Sequence, residues 1–225
     1  MRYGKEGSME ELVIFVGVSV LIVGFVFLLL YLDKKRTEDL KALASKIGYR
    51  FSEESWSILQ RFFSTMPLFD KGRSRRSKNL LTKEIGDATL YLFDYQYSTG
   101  SGKSRKTRRY TIAGIISLER KVPDFTLHPE NFLHTLGSFV GYTDIDFSNH
   151  PEFSSRFFLR GANEEQVRRF FDRSLIQQLE CHSRLNIQAS GGALIYYRKE
   201  GPLAIKEVPT FLKEAEEFWR LFRMQ

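Results

Sequence analysis

Two basic stretches are the residues of this chain best suited to bind a ligand. Neither contains Asp or Glu, and their basic side chains are Lys71, Arg73, Arg75, Arg76 and Lys78 in the first and Lys103, Arg105, Lys106, Arg108 and Arg109 in the second. The first precedes one predicted strand and the second follows the next strand of the same hairpin, so we expect both at one edge of a sheet. Such an edge favours anionic lipid headgroups or an acidic protein, with nucleic acid ranked behind them. Two solvated loops without a partner are the alternative.

Residues 100–104, Gly-Ser-Gly-Lys-Ser, look like the end of a phosphate-binding loop. The full motif requires a glycine at the position of Tyr97 and a helix that begins at the Lys-Ser pair. Residues 106–118 have the β-branched composition of a strand instead, including Thr111 and Ile112. The sequence therefore predicts a hairpin loop here and argues against nucleotide hydrolysis.

An enzyme with a site near Asp94, Asp146 and His150 is the alternative function, and we leave its catalytic residues unassigned. Asp144 and Asp146 share a face if their segment is extended. With His150 they supply only three metal donors, which makes a poor site. Cys181 is the only cysteine, so the chain has no internal disulfide and no thiolate metal centre. We predict no metal and no cofactor.

Residues 12–32 are uncharged and almost entirely apolar. A helix of that length spans about 31 Å, which matches a bilayer core of about 30 Å. A cleaved signal peptide is the alternative, but its apolar region is shorter and small residues follow it, whereas charged residues 33–36 follow here. More Lys and Arg residues lie after the stretch than before it. The positive-inside rule therefore predicts an extracytoplasmic tail (1–11) and a cytoplasmic domain at the inner (plasma) membrane.

The remaining residues predict an α+β fold with an antiparallel sheet, because strands and helices occur in blocks. Residues 33–48 are expected to form a juxtamembrane helix capped by Thr37 and ended by Gly48, and residues 49–225 a domain of one unit or two lobes (49–140 and 141–225). The expected elements are a helix from Ser52 to Met66, strands at 79–85, 88–97 and 108–118, a strand at 125–127, a helical turn from Pro129, a strand pair at 145–147 and 157–160, a helix at 163–179 capped by Asn163, a hairpin at 185–188 and 194–198, and a C-terminal helix.

Several short motifs resemble those of a group of bacterial single-pass membrane-anchored proteins of unknown function. They are Phe-Asp-Tyr-Gln-Tyr (93–97), Asp-Ile-Asp-Phe (144–147), His-Pro-Glu-Phe (150–153), Leu-Arg-Gly (159–161) and Gly-Gly-Ala-Leu-Ile-Tyr-Tyr-Arg (191–198). The similarity covers most of residues 48–221. It implies a bacterial inner-membrane protein but implies no activity, substrate or catalytic residue.

The leading hypothesis from sequence is a membrane-tethered, non-enzymatic module whose basic edge contacts anionic lipid or an acidic partner. The net charge of +7 is consistent with an anionic partner. A scaffold subunit of a membrane complex is a further alternative, for which an exposed aromatic patch is the expected sign.

Overall fold

The computed structural model describes residues 6–130, 144–182, 185–198 and 200–224. It divides into two compact units, Met1–Ala42 and Leu43–Gln225. The expected helical turn after Pro129 falls mostly on residues outside the described ranges.

Helix α1 (Glu6–Ile47) contains the long apolar stretch. Its most apolar window has a mean hydropathy of 3.1, and none of that window is buried, so by length and composition the helix could cross a membrane. The expected separate helix beginning at Thr37 is wrong, since Thr37 lies within α1 and its Oγ1 donates to the Asp33 carbonyl. Gly48 ends the helix at a φ of 75°, as predicted.

Among the described residues of the second unit, eight antiparallel strands form a single sheet, which confirms the α+β class. The strand order across the sheet is β1-β2-β3-β4-β8-β7-β5-β6. The strands are β1 (Arg50–Glu54), β2 (Arg73–Ile85), β3 (Ala88–Thr99), β4 (Lys106–Ser117), β5 (Val122–Pro129), β6 (Phe157–Gly161), β7 (Asn186–Gly191) and β8 (Ala193–Tyr197).

Five helices accompany the sheet among the described residues of this unit. They are α2 (Trp56–Phe62), α3 (Pro151–Arg156), α4 (Glu164–Phe170), α5 (Arg173–Glu180) and α6 (Val208–Arg223). Short 3-10 turns occur at Gly102–Ser104 and Ile205–Glu207.

Apolar residues cover both faces of the sheet, as the alternation in β3 predicts. On one side, here called the aromatic face, Phe93 and Tyr95 of β3 pack against Phe63 and Phe69, which follow α2. On the other side, here called the helix face, α6 packs against β8. The ring of Tyr196 lies 4.7 Å from that of Phe211 and 5.1 Å from that of Phe218.

Three sequence predictions differ from the observed elements. Ser52 belongs to edge strand β1, and the following helix begins only at Trp56. The helix capped by Asn163 ends at Phe170, and Asp172 caps a second helix by accepting from the Leu175 N–H at 2.8 Å. Residues 145–147 form no strand, although the Ile145 N–H does donate to the Leu159 carbonyl of β6 at 2.8 Å.

Candidate anion-binding face

Strand register brings the two basic stretches together across β3. Arg76 lies opposite Gln96, which in turn lies opposite Arg109. One row further along, Arg73 lies opposite Ser98, and Ser98 opposite Thr107. Directly paired residues point to the same side of a sheet, so these rows lie on the helix face, on which Asp94 also lies.

We name five of these cations the basic face: Arg73, Arg76, Lys78, Arg105 and Arg109. Lys78 pairs with Asp94 in the register, and Arg105 Nη2 donates to the Ser98 hydroxyl at 3.3 Å. The four arginines are exposed and Lys78 is half-buried. The chain has no Asp or Glu from residue 71 to 83 or from 95 to 118. Guanidinium groups on a polar strand end suit phosphate or carboxylate, since each presents several N–H donors in a fixed fork.

Two of the arginines are held in place by the hairpin between β3 and β4. Arg73 Nη2 donates to the Gly100 carbonyl at 2.7 Å. Arg105 is tied to Ser98, whose hydroxyl also lies 3.3 Å from that of Thr107. A side chain fixed in this way loses less conformational entropy when it binds a ligand.

The other five predicted contact residues do not belong to this face. Lys103 lies exposed in the hairpin loop, and Lys106 is exposed on the aromatic side of β4, opposite Thr99. Arg75 is used structurally, with its guanidinium donating to the backbone carbonyls of Asp70, Lys71 and Gly72. The single sheet edge expected from sequence is therefore two sets of cations on opposite faces.

Lys71 and Arg108 lie toward the aromatic face and the interior. Arg108 forms an ion pair with Glu200. Burial, together with the charges of Arg160 and Arg108, lowers the pKa of Lys71 to about 8. Burial likewise lowers the pKa of His128 to about 4, and its Nδ1 lies 2.9 Å from Asn186 Oδ1. These groups are separate from the basic face.

The buried carboxylate of Asp94 stabilises the backbone of β2 next to the basic face. Asp94 accepts hydrogen bonds from Asn79 Nδ2 and Thr111 Oγ1, both at 2.9 Å. Asn79 has a φ of 60°, and the β2–β3 register shifts just after Lys78. A left-handed Asn tolerates this strained backbone when its amide is hydrogen-bonded. The Asp94 carboxylate thus fixes the irregular part of β2 that leads into Lys78 and Arg76.

The residues considered for an enzyme site do not converge. Asp94 lies in β3, whereas Asp146 and His150 lie near β6, because the neighbouring Ile145 bonds to that strand and His150 begins the turn into α3. Five strand spacings separate β3 from β6, or about 24 Å. His150 Nδ1 lies 3.9 Å from the carboxylate of Glu180, and His150 also lines a cleft of about 670 Å³.

Asp144 has a structural contact instead of a metal-binding one. Its Oδ1 accepts from the Leu159 N–H at 2.9 Å, which ties residue 144 to β6. Burial raises the pKa of Asp144 to about 6. No cluster of three or more metal-donor side chains occurs within the described part of the chain.

Comparison with known proteins shows a similarity in fold. No family model matches the chain, and no curated protein matches its sequence. The crystal structure of the mycobacterial trehalose monomycolate transport factor A, TtfA, is similar in fold, with a TM-score of 0.51 at 13% identity. The match covers 83% of this chain and 90% of that one. The fold therefore occurs in bacteria, and the resemblance to single-pass membrane-anchored proteins stays a prediction.

Sequence reasoning missed the role of Asn79 and Thr111 as partners of Asp94. A carboxylate within an otherwise apolar strand was the available signal, because buried charges are usually hydrogen-bonded. It also missed that Arg75 and Arg108 have structural partners within the domain. Only the strand register separates these residues from the exposed arginines beside them.

Proposed function

We propose that this chain is a membrane-tethered, non-enzymatic interaction module that contacts anionic lipid through its basic face. The observation that carries the proposal is the placement of Arg73, Arg76 and Lys78 of β2 and Arg109 of β4 on one face of the sheet, across β3. Arg105 is tied to the same face through Ser98. The length and apolar composition of α1 support the tether.

The energetics of the basic face suit a tethered domain. Each cation near an anionic leaflet contributes about 1 kcal/mol, so the four exposed arginines contribute about 4 kcal/mol if all of them reach the surface. That attraction alone gives weak binding from solution. An anchor raises the effective concentration of headgroups at the domain, so weak contacts become sufficient.

The orientation follows from flanking charge. Lys and Arg are more abundant after the apolar stretch than before it, and cytoplasmic flanks carry that excess. We therefore place the amino terminus outside and the domain on the cytoplasmic side of a bacterial inner membrane, where the leaflet is anionic.

A role as a transport factor is the second candidate. The likeness in fold to the mycobacterial trehalose monomycolate transport factor favours it. In that case the basic face would contact an acidic protein segment in place of lipid headgroups. Both candidates use the same side chains, and vesicle binding distinguishes them.

The test is co-sedimentation of the Leu43–Gln225 unit with vesicles. We expect binding to vesicles that contain anionic phospholipid, little binding to neutral vesicles, and loss of binding as salt rises. The double variant Arg76→Glu, Arg109→Glu should lose this binding. The control Arg173→Glu, Lys206→Glu makes the same change in net charge at exposed sites outside the basic face and should retain it. Equal loss in both variants, or binding to neither kind of vesicle, would remove the lipid contact.

A further inference from the structure

Edge strand β1 has one neighbour within the described strands. It pairs with β2 through Arg50 opposite Thr82 and Glu54 opposite Lys78, and it stands at the end of the strand order. Four of its five residues are exposed. The outer N–H and C=O groups of such a strand can pair with a further antiparallel strand.

The sequence of β1, Arg-Phe-Ser-Glu-Glu, is complementary to itself in one register. If two copies pair antiparallel around Ser52, then Arg50 of each copy lies opposite Glu54 of the other. Opposite charges at directly paired positions stabilise a sheet. The strand thus has a positive end and a negative end, and in an antiparallel pair the positive end of each copy faces the negative end of the other.

Neighbouring registers lack this match. Pairing around Phe51 places Arg50 opposite Ser52, so the ion pair is lost. Pairing around Glu53 places two Glu53 carboxylates opposite each other, which is destabilising. Charged residues on an edge usually prevent strand addition. Here their order selects one register with a second copy.

The existing contact of Arg50 permits such an exchange. Arg50 Nη2 bonds to Glu84 Oε1 at 3.3 Å, and the two side chains are 77% and 64% exposed. An ion pair as exposed as this one contributes little to stability, so Arg50 can take a new partner at small cost.

We propose that two copies of this chain associate through β1, around a twofold axis at Ser52, to form one continuous sixteen-stranded sheet. The interface is isologous and therefore closed at two copies. Strand pairs this short are weak in solution, but copies anchored in one bilayer meet at high effective concentration. This inference rests on the tether of the proposed function, but not on the contact of the arginines with lipid.

Thiol cross-linking of the full chain in neutral lipid vesicles tests the register. Ser52→Cys in a Cys181→Ser background should give a covalent dimer with a short bis-maleimide, because the two thiols would face each other across the axis. Ser57→Cys, exposed on α2, is the control and should stay monomeric. Absence of the dimer at position 52, or equal dimer at both positions, would overturn the proposal.

Exchanging the charges of Arg50 and Glu54 distinguishes strand pairing in this register from mere proximity of two copies. Arg50→Glu in the Ser52→Cys background should abolish the cross-link, since it places two carboxylates opposite each other. The exchange Arg50→Glu, Glu54→Arg should restore it, because the opposite charges face each other again. A dimer that survives the single change, or one that the exchange fails to restore, contradicts this register. Because neutral vesicles contain no anionic lipid, the cross-linking result does not depend on the proposed lipid contact. The two proposals can therefore fail independently.

Discussion

Replacement of Asp94 by alanine should destabilise the domain strongly. Asp94 is 9% exposed, and its carboxylate accepts hydrogen bonds from Asn79 Nδ2 and Thr111 Oγ1. Removing it deprives two donors of an acceptor, each at a cost of about 1–3 kcal/mol, so we expect a loss of about 2–6 kcal/mol. For a domain of this size that loss lowers Tm by roughly 4–24 °C.

Thermal unfolding of the Leu43–Gln225 unit, followed by circular dichroism, measures this effect. Asp94→Asn is the matched control, because an amide keeps one acceptor oxygen and Asn79 can turn its own amide to meet it. We expect Asp94→Asn to cost about 1 kcal/mol. If Asp94→Ala melts within about 2 °C of the unchanged domain, the claim that this carboxylate fixes β2 is wrong.

Two further predictions concern the other parts of the domain. Gly192→Ala should lower the free energy of unfolding by about 1–3 kcal/mol, since a Cβ there would overlap the backbone carbonyl of Ser117. Urea unfolding measures this loss, and an unchanged midpoint would contradict the reasoning. Asp144 should make stability depend on pH, because its folded pKa of about 6 lies above the usual value. The folded state then binds this proton more tightly than the unfolded state, so its contribution is complete below about pH 4 and is lost as pH rises through 6. Asp144→Asn should remove that slope, and an identical slope in the variant would show that another group causes it.

Local patterns in the sequence were sufficient to predict several elements. The meander from β2 to β4 was predictable because a Gly-Asp turn and a glycine-rich loop separate three segments of strand-like composition. The C-terminal helix α6 followed from its apolar stripe, and the Asn163 cap followed from the residue type. Each of these elements is decided by residues close in the chain.

The errors arose where distant contacts decide the structure. Residues 52–54 have the acidic residues of a helix start, but pairing with β2 makes them a strand. Phe171 interrupts the helix expected at 163–179, and its ring packs edge-on against Phe125 of β5 at 4.9 Å. The extension of β2 back to Arg73 also depends on pairing with β3, which a run of basic residues does not reveal.

The candidate site was predictable in its location but not in its composition. Juxtaposition of the two basic stretches followed from hairpin geometry alone. Which cations stay available depended on partners far along the chain, such as Glu200 for Arg108. The register also assigns Arg76 and Lys106 to opposite faces of the sheet. The sequence interpretation treated both stretches as loops and therefore could not assign their side chains to a face.

Energy transfer from the hairpin tip to the bilayer tests the lipid contact most directly. A donor dye on Ser101→Cys, in a Cys181→Ser background, reports its distance from acceptor-labelled headgroups in vesicles that contain the full chain. We predict higher transfer with anionic than with neutral phospholipid, a fall in that transfer at high salt, and its loss in Arg76→Glu, Arg109→Glu. Equal transfer in anionic and neutral vesicles would contradict the proposal that the basic face rests on an anionic leaflet.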